Sequence, residues 1–328
     1  MFGAMLSDLK RMLSNHKIFF QEGVLLAEKT WIRRGGIVKY WIVPISVEKL
    51  VVLVKYLYVN NLFFELVGHT SNIYFLNNYN PDIVISTRKI NCFFDNEDVL
   101  ICDCGVSMKI LSKYCIEHGY RGFEGLIDLP GTVAAAVYNN SGCFKCSVSD
   151  LLIKVDFLDK NGDLIELNSR QMKFTHRSSC FKTKEMEGVI LRVYLKKIKS
   201  DSVKLARIAA DNRQYRKMYQ ESPKQNLGST FATIPFKKNP LLFVSVLTKI
   251  CVVFKVDKKR KWVLIKYILL LIYGKLELSR YISDYSLNRF VWIDEQADEK
   301  FWLYKLFIER ISNSPQLEIE IKKNLVDC

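Results

Sequence analysis

Two loops carry the residue types that hold a phosphate-rich ligand. The first, residues 66–75, presents Gly68, His69, Thr70, Ser71, Asn72 and Ile73. Backbone N–H groups in such a loop can cradle a diphosphate, and short hydroxyl side chains add donors. A plain strand-to-turn connection has the same composition. The second, residues 122–142, is rich in small residues. Gly125, Pro130, Gly131 and Thr132 lead into Val133 and three alanines, among them Ala135 and Ala136, and the segment ends with Asn140 and Gly142. Small residues let backbone approach a flat ligand closely, and they serve tight helix packing equally well. Cys143 and Cys146 form a CxxC pair, with Cys102 and Cys104 upstream, the kind of pairing from which a zinc site is built.

The elements that must position these loops alternate. Period-2 runs predict strands over 39–43, 62–67, 82–86, 99–102 and 189–196. Helical spacing of apolar residues predicts helices over 5–13, 46–59, 107–118, 202–219 and 299–311. Asn161-Gly162 between 153–159 and 164–167 signals a hairpin, and 317–321 after Pro315 reads as a last strand. Short connections between alternating elements mark an α+β or α/β domain. A change to basic-apolar composition near 198–202 places a boundary between a domain of residues 1–200 and a smaller one of 201–328.

Composition narrows the function classes. The chain has 328 residues, 49% hydrophobic and 25% charged, with only 15 Gly and 7 Pro. That is globular composition and excludes disordered, collagen-like or low-complexity chains. Nine Cys in this length is not a disulfide framework, and the N-terminus lacks the continuous apolar stretch of a secretory signal. A cytoplasmic protein with reduced thiols is expected. Net charge is +15, and residues 201–270 hold 15 Lys and Arg against 4 Asp and Glu. Such a region suits anionic partners: diphosphates, nucleic acid or an anionic membrane face. Two apolar runs, 241–256 and 262–273, fall short of the roughly 18–20 residues a span requires. They read as buried or amphipathic elements, or as a surface helix with basic flanks that touches the inner membrane face peripherally.

Residue by residue, the chain resembles the UDP-N-acetylenolpyruvoylglucosamine reductases, from about Thr30 to Phe231 with a return near the C-terminus. Thr30 to Gly36 resembles the family's opening motif, and Pro44, Ser46 and Glu48 its next one. Gly68, Ser71, Asn72 and Ile73 match the FAD diphosphate loop. The segment from Gly122 to Gly142 is the most specific match, and Phe174 to Lys182 follows in order. Gly228-Ser229-Thr230-Phe231 resembles the catalytic Gly-Ser-x-Phe, and Leu317-Glu318-Ile319-Glu320-Ile321 resembles the terminal Leu-Glu-Pro-Glu-Val.

The resemblance implies an α+β chain: an FAD-binding fold of the PCMH type in two subdomains, about 1–86 and 87–200, then a smaller substrate-binding domain. It implies FAD as cofactor and NADPH as reductant. The substrate would be an enolpyruvyl nucleotide sugar, reduced to its lactyl ether. Chemistry of this kind needs donors facing the developing negative charge and an acid that protonates carbon. By resemblance Arg177 binds the substrate carboxylate, Ser229 donates the proton and Glu320 stabilises the enolate. Arg216, Lys217 and Gln220 match a basic pair and Gln that would meet the substrate diphosphate. Cys143 falls where the family has Ala, so no metal is expected, and no nucleic-acid motif is found.

Departures from the family pattern fall in both halves. His69 and Thr70 replace the middle glycines of the diphosphate loop; a positive φ there would strain them. Ala134 and Ala135 replace glycines, His176 replaces a Tyr, and Leu287 stands where a His is expected. The region after Phe231 is remodelled, which leaves the sugar open. Two other functions compete: a sugar oxidase or dehydrogenase on the same FAD fold, and a basic binding protein that has lost catalysis.

Overall fold

The computed structural model describes residues 2–221 and 226–324. The chain divides into two compact units. The first holds the chain up to Lys29, Gly35–Thr70 and Asn78–Arg213; the second holds Thr30–Arg34, Ser71–Asn77 and the chain from Gln214 onward. The division falls inside the helix Ser202–Tyr219, whereas the composition shift puts it just before that helix.

The first unit contains two sheets. One has four strands in the order Phe19–Leu25, Ile37–Val43, Ile83–Ser86, Glu65–Val67; its first pair is antiparallel and the other two are parallel. The helix Val47–Val59 turns Leu50, Leu53, Val54 and Leu57 onto it, and Ser46 caps the helix by accepting from the Lys49 N–H. The other sheet is antiparallel, in the order Leu164–Asn168, Leu152–Asp159, Gly188–Lys196, Val99–Asp103, Phe93–Asp95. Gly162 takes φ +86° in the expected hairpin turn. Helices Met108–Glu117 and Val133–Tyr138 close its core.

The second unit is built on aromatic packing: Phe231, Phe290, Phe301, Tyr304 and Phe307 are buried together with Tyr74. The expected strand over 317–321 is two strands. Gln316–Leu317 pairs antiparallel with Phe231–Thr233, and Glu320–Lys322 pairs parallel with Ile73–Phe75. Glu318 and Ile319 form the break, because the two halves satisfy different neighbours. The apolar runs are helices Lys238–Val253 and Lys258–Ile272, which pack against each other. Among the described residues no helix is long and apolar enough to cross a membrane.

Candidate active site

In the first unit the two phosphate-type loops meet. A Cβ on Gly68 would lie 2.6 Å from Oγ1 and 2.9 Å from Cγ2 of Thr132, so only glycine permits this approach. Thr132 is buried and caps the helix Val133–Tyr138, accepting from the Ala135 N–H at 3.4 Å. Gly131, at φ +112°, turns the chain into that helix, and its carbonyl accepts from the Met108 N–H. Gly125 is equally confined, since a Cβ there would lie 2.6 Å from Sγ of Cys146. Ala135 is half-buried, whereas Ala136 is packed in the core and offers no surface to a ligand. Pro130 is exposed.

The replaced glycines are accommodated in different ways. Thr70 adopts φ +57°, the strained case for a β-branched residue, and its hydroxyl donates to the His69 carbonyl at 2.7 Å. His69 keeps a negative φ. Burial, reinforced by the Arg88 charge, holds its imidazole below the ordinary histidine range, so it is neutral at pH 7.

Arg88, which no motif singles out, braces this loop. Its Nε donates to the Gly68 carbonyl at 2.9 Å and its Nη2 to the Lys29 carbonyl at 2.8 Å. A guanidinium thus clamps the loop by its backbone, and burial lowers its pKa without discharging it.

The Arg177 segment is tied to the second loop. Thr175 and Ser178 exchange backbone hydrogen bonds across a tight turn with His176 and Arg177 at its corners. Arg177 takes φ +56°. Asn140 donates its side-chain amide to the Thr175 carbonyl at 2.8 Å, Ser179 donates to the Tyr138 carbonyl, and Lys182 to the Asn139 side chain. The end of the small-residue segment therefore sets where Arg177 sits. Gly142 lies just beyond, in a hairpin in which Cys143 faces Cys146 across Phe144 and Lys145, both at positive φ. Cys102 and Cys104 are core residues whose thiols burial pushes up to about 12.

In the second unit three segments interlock. Glu318 and Ile319 both donate their N–H to the Thr230 carbonyl, at 2.9 and 3.4 Å. Glu320 donates its N–H to the Asn72 carbonyl at 2.9 Å, and Asn72 returns its side-chain amide to the Glu318 carbonyl at 3.1 Å. Ser229, half-buried beside Thr230, follows Gly228 at φ +82°. Asn288 fixes this turn: its carbonyl accepts from the Thr230 N–H, and its side chain bonds both the N–H and the C=O of Phe231. Asn288 is a second residue whose role was hidden in the sequence. Oε2 of Glu320 lies 3.7 Å from Nζ of Lys322, whereas Oε2 of Glu318 is buried. Ile73 is a buried strand residue, and Ser71 is half-buried. Arg216 donates to Gln220 at 3.4 Å along one helix face, while Lys217 is exposed.

Residues 38–168, which include both loops, match the family model described as an FAD binding domain. The chain is 34% identical over 168 residues to the UDP-N-acetylenolpyruvoylglucosamine reductase of Thermosipho melanesiensis, covering 51% of this chain and 56% of that protein. The aligned part therefore spans just over half of this relative. Its counterpart from Caldicellulosiruptor saccharolyticus is 24% identical over 226 residues, covering 69% of this chain and 73% of that one. The crystal structure of the Thermus caldophilus UDP-N-acetylenolpyruvylglucosamine reductase superposes with a TM-score of 0.64 at 19% identity, over 93% of this chain and 99% of that one. Fold and loops define an FAD-binding flavoprotein of α+β class. Over these stretches the chain is similar to the UDP-N-acetylenolpyruvoylglucosamine reductases.

Proposed function

We propose that the chain is an NADPH-driven, FAD-dependent reductase of an enolpyruvyl nucleotide sugar. With FAD bound, the flavin would supply the route by which hydride from NADPH reaches the enolpyruvyl double bond, giving a lactyl ether once a proton is added. Residues 1–200 carry the FAD-binding role and residues 201–328 the substrate role. The N–H groups of 68–70 and the turn at Gly131-Thr132, all in the first unit, hold the cofactor diphosphate, as the close approach at Gly68 supports. Arg177 binds the substrate carboxylate, Ser229 delivers a proton to carbon, and the Glu320 carboxyl stabilises the enolate. Arg216, Lys217 and Gln220 take the substrate diphosphate. Residues 241–273 add a peripheral membrane contact.

The observation that carries this function is the interlock of Asn72, Thr230 and Glu318–Glu320 in the second unit. It joins three motif segments that are far apart in sequence through consecutive backbone bonds. An absorption spectrum before and after anaerobic NADPH is the test. The expected result is a flavin spectrum that bleaches and returns on adding UDP-N-acetylenolpyruvoylglucosamine. Ser229→Ala should still bleach, with return slowed by on the order of 10²–10⁴. Unchanged return in that variant would remove Ser229 from the chemistry. Flavin that a sugar reduces and NADPH does not would replace the reductase with the oxidase.

A further inference from the structure

Nearly half of the large apolar side chains exposed among the described residues, twelve of twenty-seven, lie between Leu241 and Leu276. They are ordered. In the helix Lys238–Val253, Phe243, Val244 and Leu247 pack on the core, and Cys251 is buried. Leu242, Val246, Ile250 and Val253, at spacings of four, four and three, form a separate stripe open to solvent. A surface helix normally turns polar residues outward, whereas this one exposes an apolar stripe flanked by Ser245 and Lys249. At its end Val252, Val253 and Phe254 are 70, 75 and 75% exposed. The next helix exposes Leu264, Tyr267 and Leu271 at helical spacing. Single exposed apolar residues need no explanation; a contiguous set does.

The charges around this surface name its occupant. Residues 237–275 contain ten Lys and Arg and a single acid, Asp257. Lys255, Lys259 and Arg260 are exposed in the turn and first helical turn that follow the Val252–Phe254 tip along the chain. The lysine that interrupts the second apolar run, Lys266, is turned into the protein. Its Nζ donates to the Ser279 and Ile282 carbonyls at 2.9 and 3.0 Å and pairs with Asp284. The outer apolar stripe of that helix is therefore unbroken. A second copy docking on this face would set a basic surface against an equally basic one. Nucleic acid would satisfy the cations and leave the stripes wet. An anionic bilayer satisfies both, because helices of 16 and 15 residues are too short to span but suited to lie in the headgroup layer.

We propose that the helical pair 238–272 docks on an anionic phospholipid surface, with the Val252–Phe254 tip and outer stripes entering the interface and Lys255, Lys259 and Arg260 meeting lipid phosphates. This deepens the peripheral contact proposed above and rests on it, independently of the redox chemistry.

Co-sedimentation of the full chain with two kinds of vesicle tests it: phosphatidylcholine alone, and phosphatidylcholine with roughly one-third phosphatidylglycerol. Binding is expected only to the anionic vesicles, and to fade as salt rises from about 0.1 to about 0.5 M. At about fivefold per charge, the triple variant Lys255→Gln, Lys259→Gln, Arg260→Gln should bind on the order of 100-fold more weakly. Val253→Ser with Phe254→Ser, both solvent-exposed and so without cost to folding, should lose binding with an unchanged melting curve. Equal binding to both vesicles, no binding at low salt, or a dimer that the Val253→Ser, Phe254→Ser variant dissociates would overturn the proposal. Bleaching by NADPH, read on the same samples, should not differ among these variants. Its failure in the parent chain would strike the reductase function and leave the vesicle result standing.

Discussion

Gly68→Ala probes whether the two loops of the first unit meet as tightly as the structure has them. The added Cβ would lie 2.6 Å from Oγ1, 2.9 Å from Cγ2 and 3.3 Å from Cβ of Thr132. Thr132 is 1% exposed and has no solvent to swing into. One response is overpacking, which costs about 1–3 kcal/mol. The other is rotation of Thr132 away from the Ala135 N–H, which loses the helix cap at about 1 kcal/mol. The single variant should therefore lose about 1–3 kcal/mol, centred near 2, in urea unfolding of flavin-free protein. Thr132→Ala alone should lose about 1–2 kcal/mol through its cap and one methyl. The double variant removes the two clashing atoms and leaves only the 3.3 Å Cβ contact, so it should cost little more than Thr132→Ala. The coupling is then about 1.5 kcal/mol in the compensating direction. FAD titration by fluorescence quenching should follow the same order, with Gly68→Ala at least about tenfold weaker and Thr132→Ala restoring part of it. Additive costs in both assays would refute the close approach and with it the diphosphate cradle.

Thr70→Gly removes an L side chain from φ +57°, which returns about 1–2 kcal/mol. It should therefore be close to neutral in urea midpoint, whereas an ordinary buried Thr→Gly is clearly destabilising; a loss above about 2 kcal/mol would disprove the strain. Glu320→Gln should keep NADPH bleaching and slow return with substrate by on the order of 10²–10⁴, while Glu318→Gln should slow it less than about tenfold. The reverse order would shift the acid to Glu318, whose Oε2 is the buried one. His69 has a folded pKa below its unfolded value of 6.5, so the unfolded chain takes up more protons near pH 6. Flavin-free protein should lose stability as pH falls below about 6.5, and His69→Asn should flatten that slope in urea midpoints measured at several pH values.

The elements legible in sequence were those decided by near neighbours. The helix Val47–Val59 has its cap three residues from the N–H it serves, and the hairpin at Gly162 has its turn residues in place. What escaped depends on partners far along the chain. The break at Glu318 exists because Thr230 and Asn72 draw the segment to different neighbours, and no property of 317–321 alone encodes that. Arg88 acts on carbonyls 20 and 59 residues away, and carbonyls leave no mark in side-chain sequence. Lys266 reads as an interruption of an apolar run, but its partners at 279, 282 and 284 turn it inward. The hairpin at Cys143–Cys146 lacked a signal for a different reason: Phe144 and Lys145 occupy the two positive-φ positions that Asn and Gly usually fill.

The departures from the family pattern differ in kind between the two halves of the chain. In the loop that resembles the family's diphosphate loop, Thr70 holds a left-handed backbone that glycine would adopt without strain. That is the outcome expected where the backbone N–H directions matter more than the residue. In the remodelled segment around Leu287 the change is one of role. The expected His is a buried Leu, and its neighbour Asn288 makes three hydrogen bonds to the backbone beside Ser229. A left-handed backbone at Thr70 and an Asn288-braced turn beside Ser229 would fit a constant cofactor with a changed sugar. The comparison that decides it is turnover of UDP-N-acetylenolpyruvoylglucosamine against other enolpyruvyl nucleotide sugars. A preference for another sugar would trace the remodelling to substrate, and a preference for this one would make it a matter of stability alone.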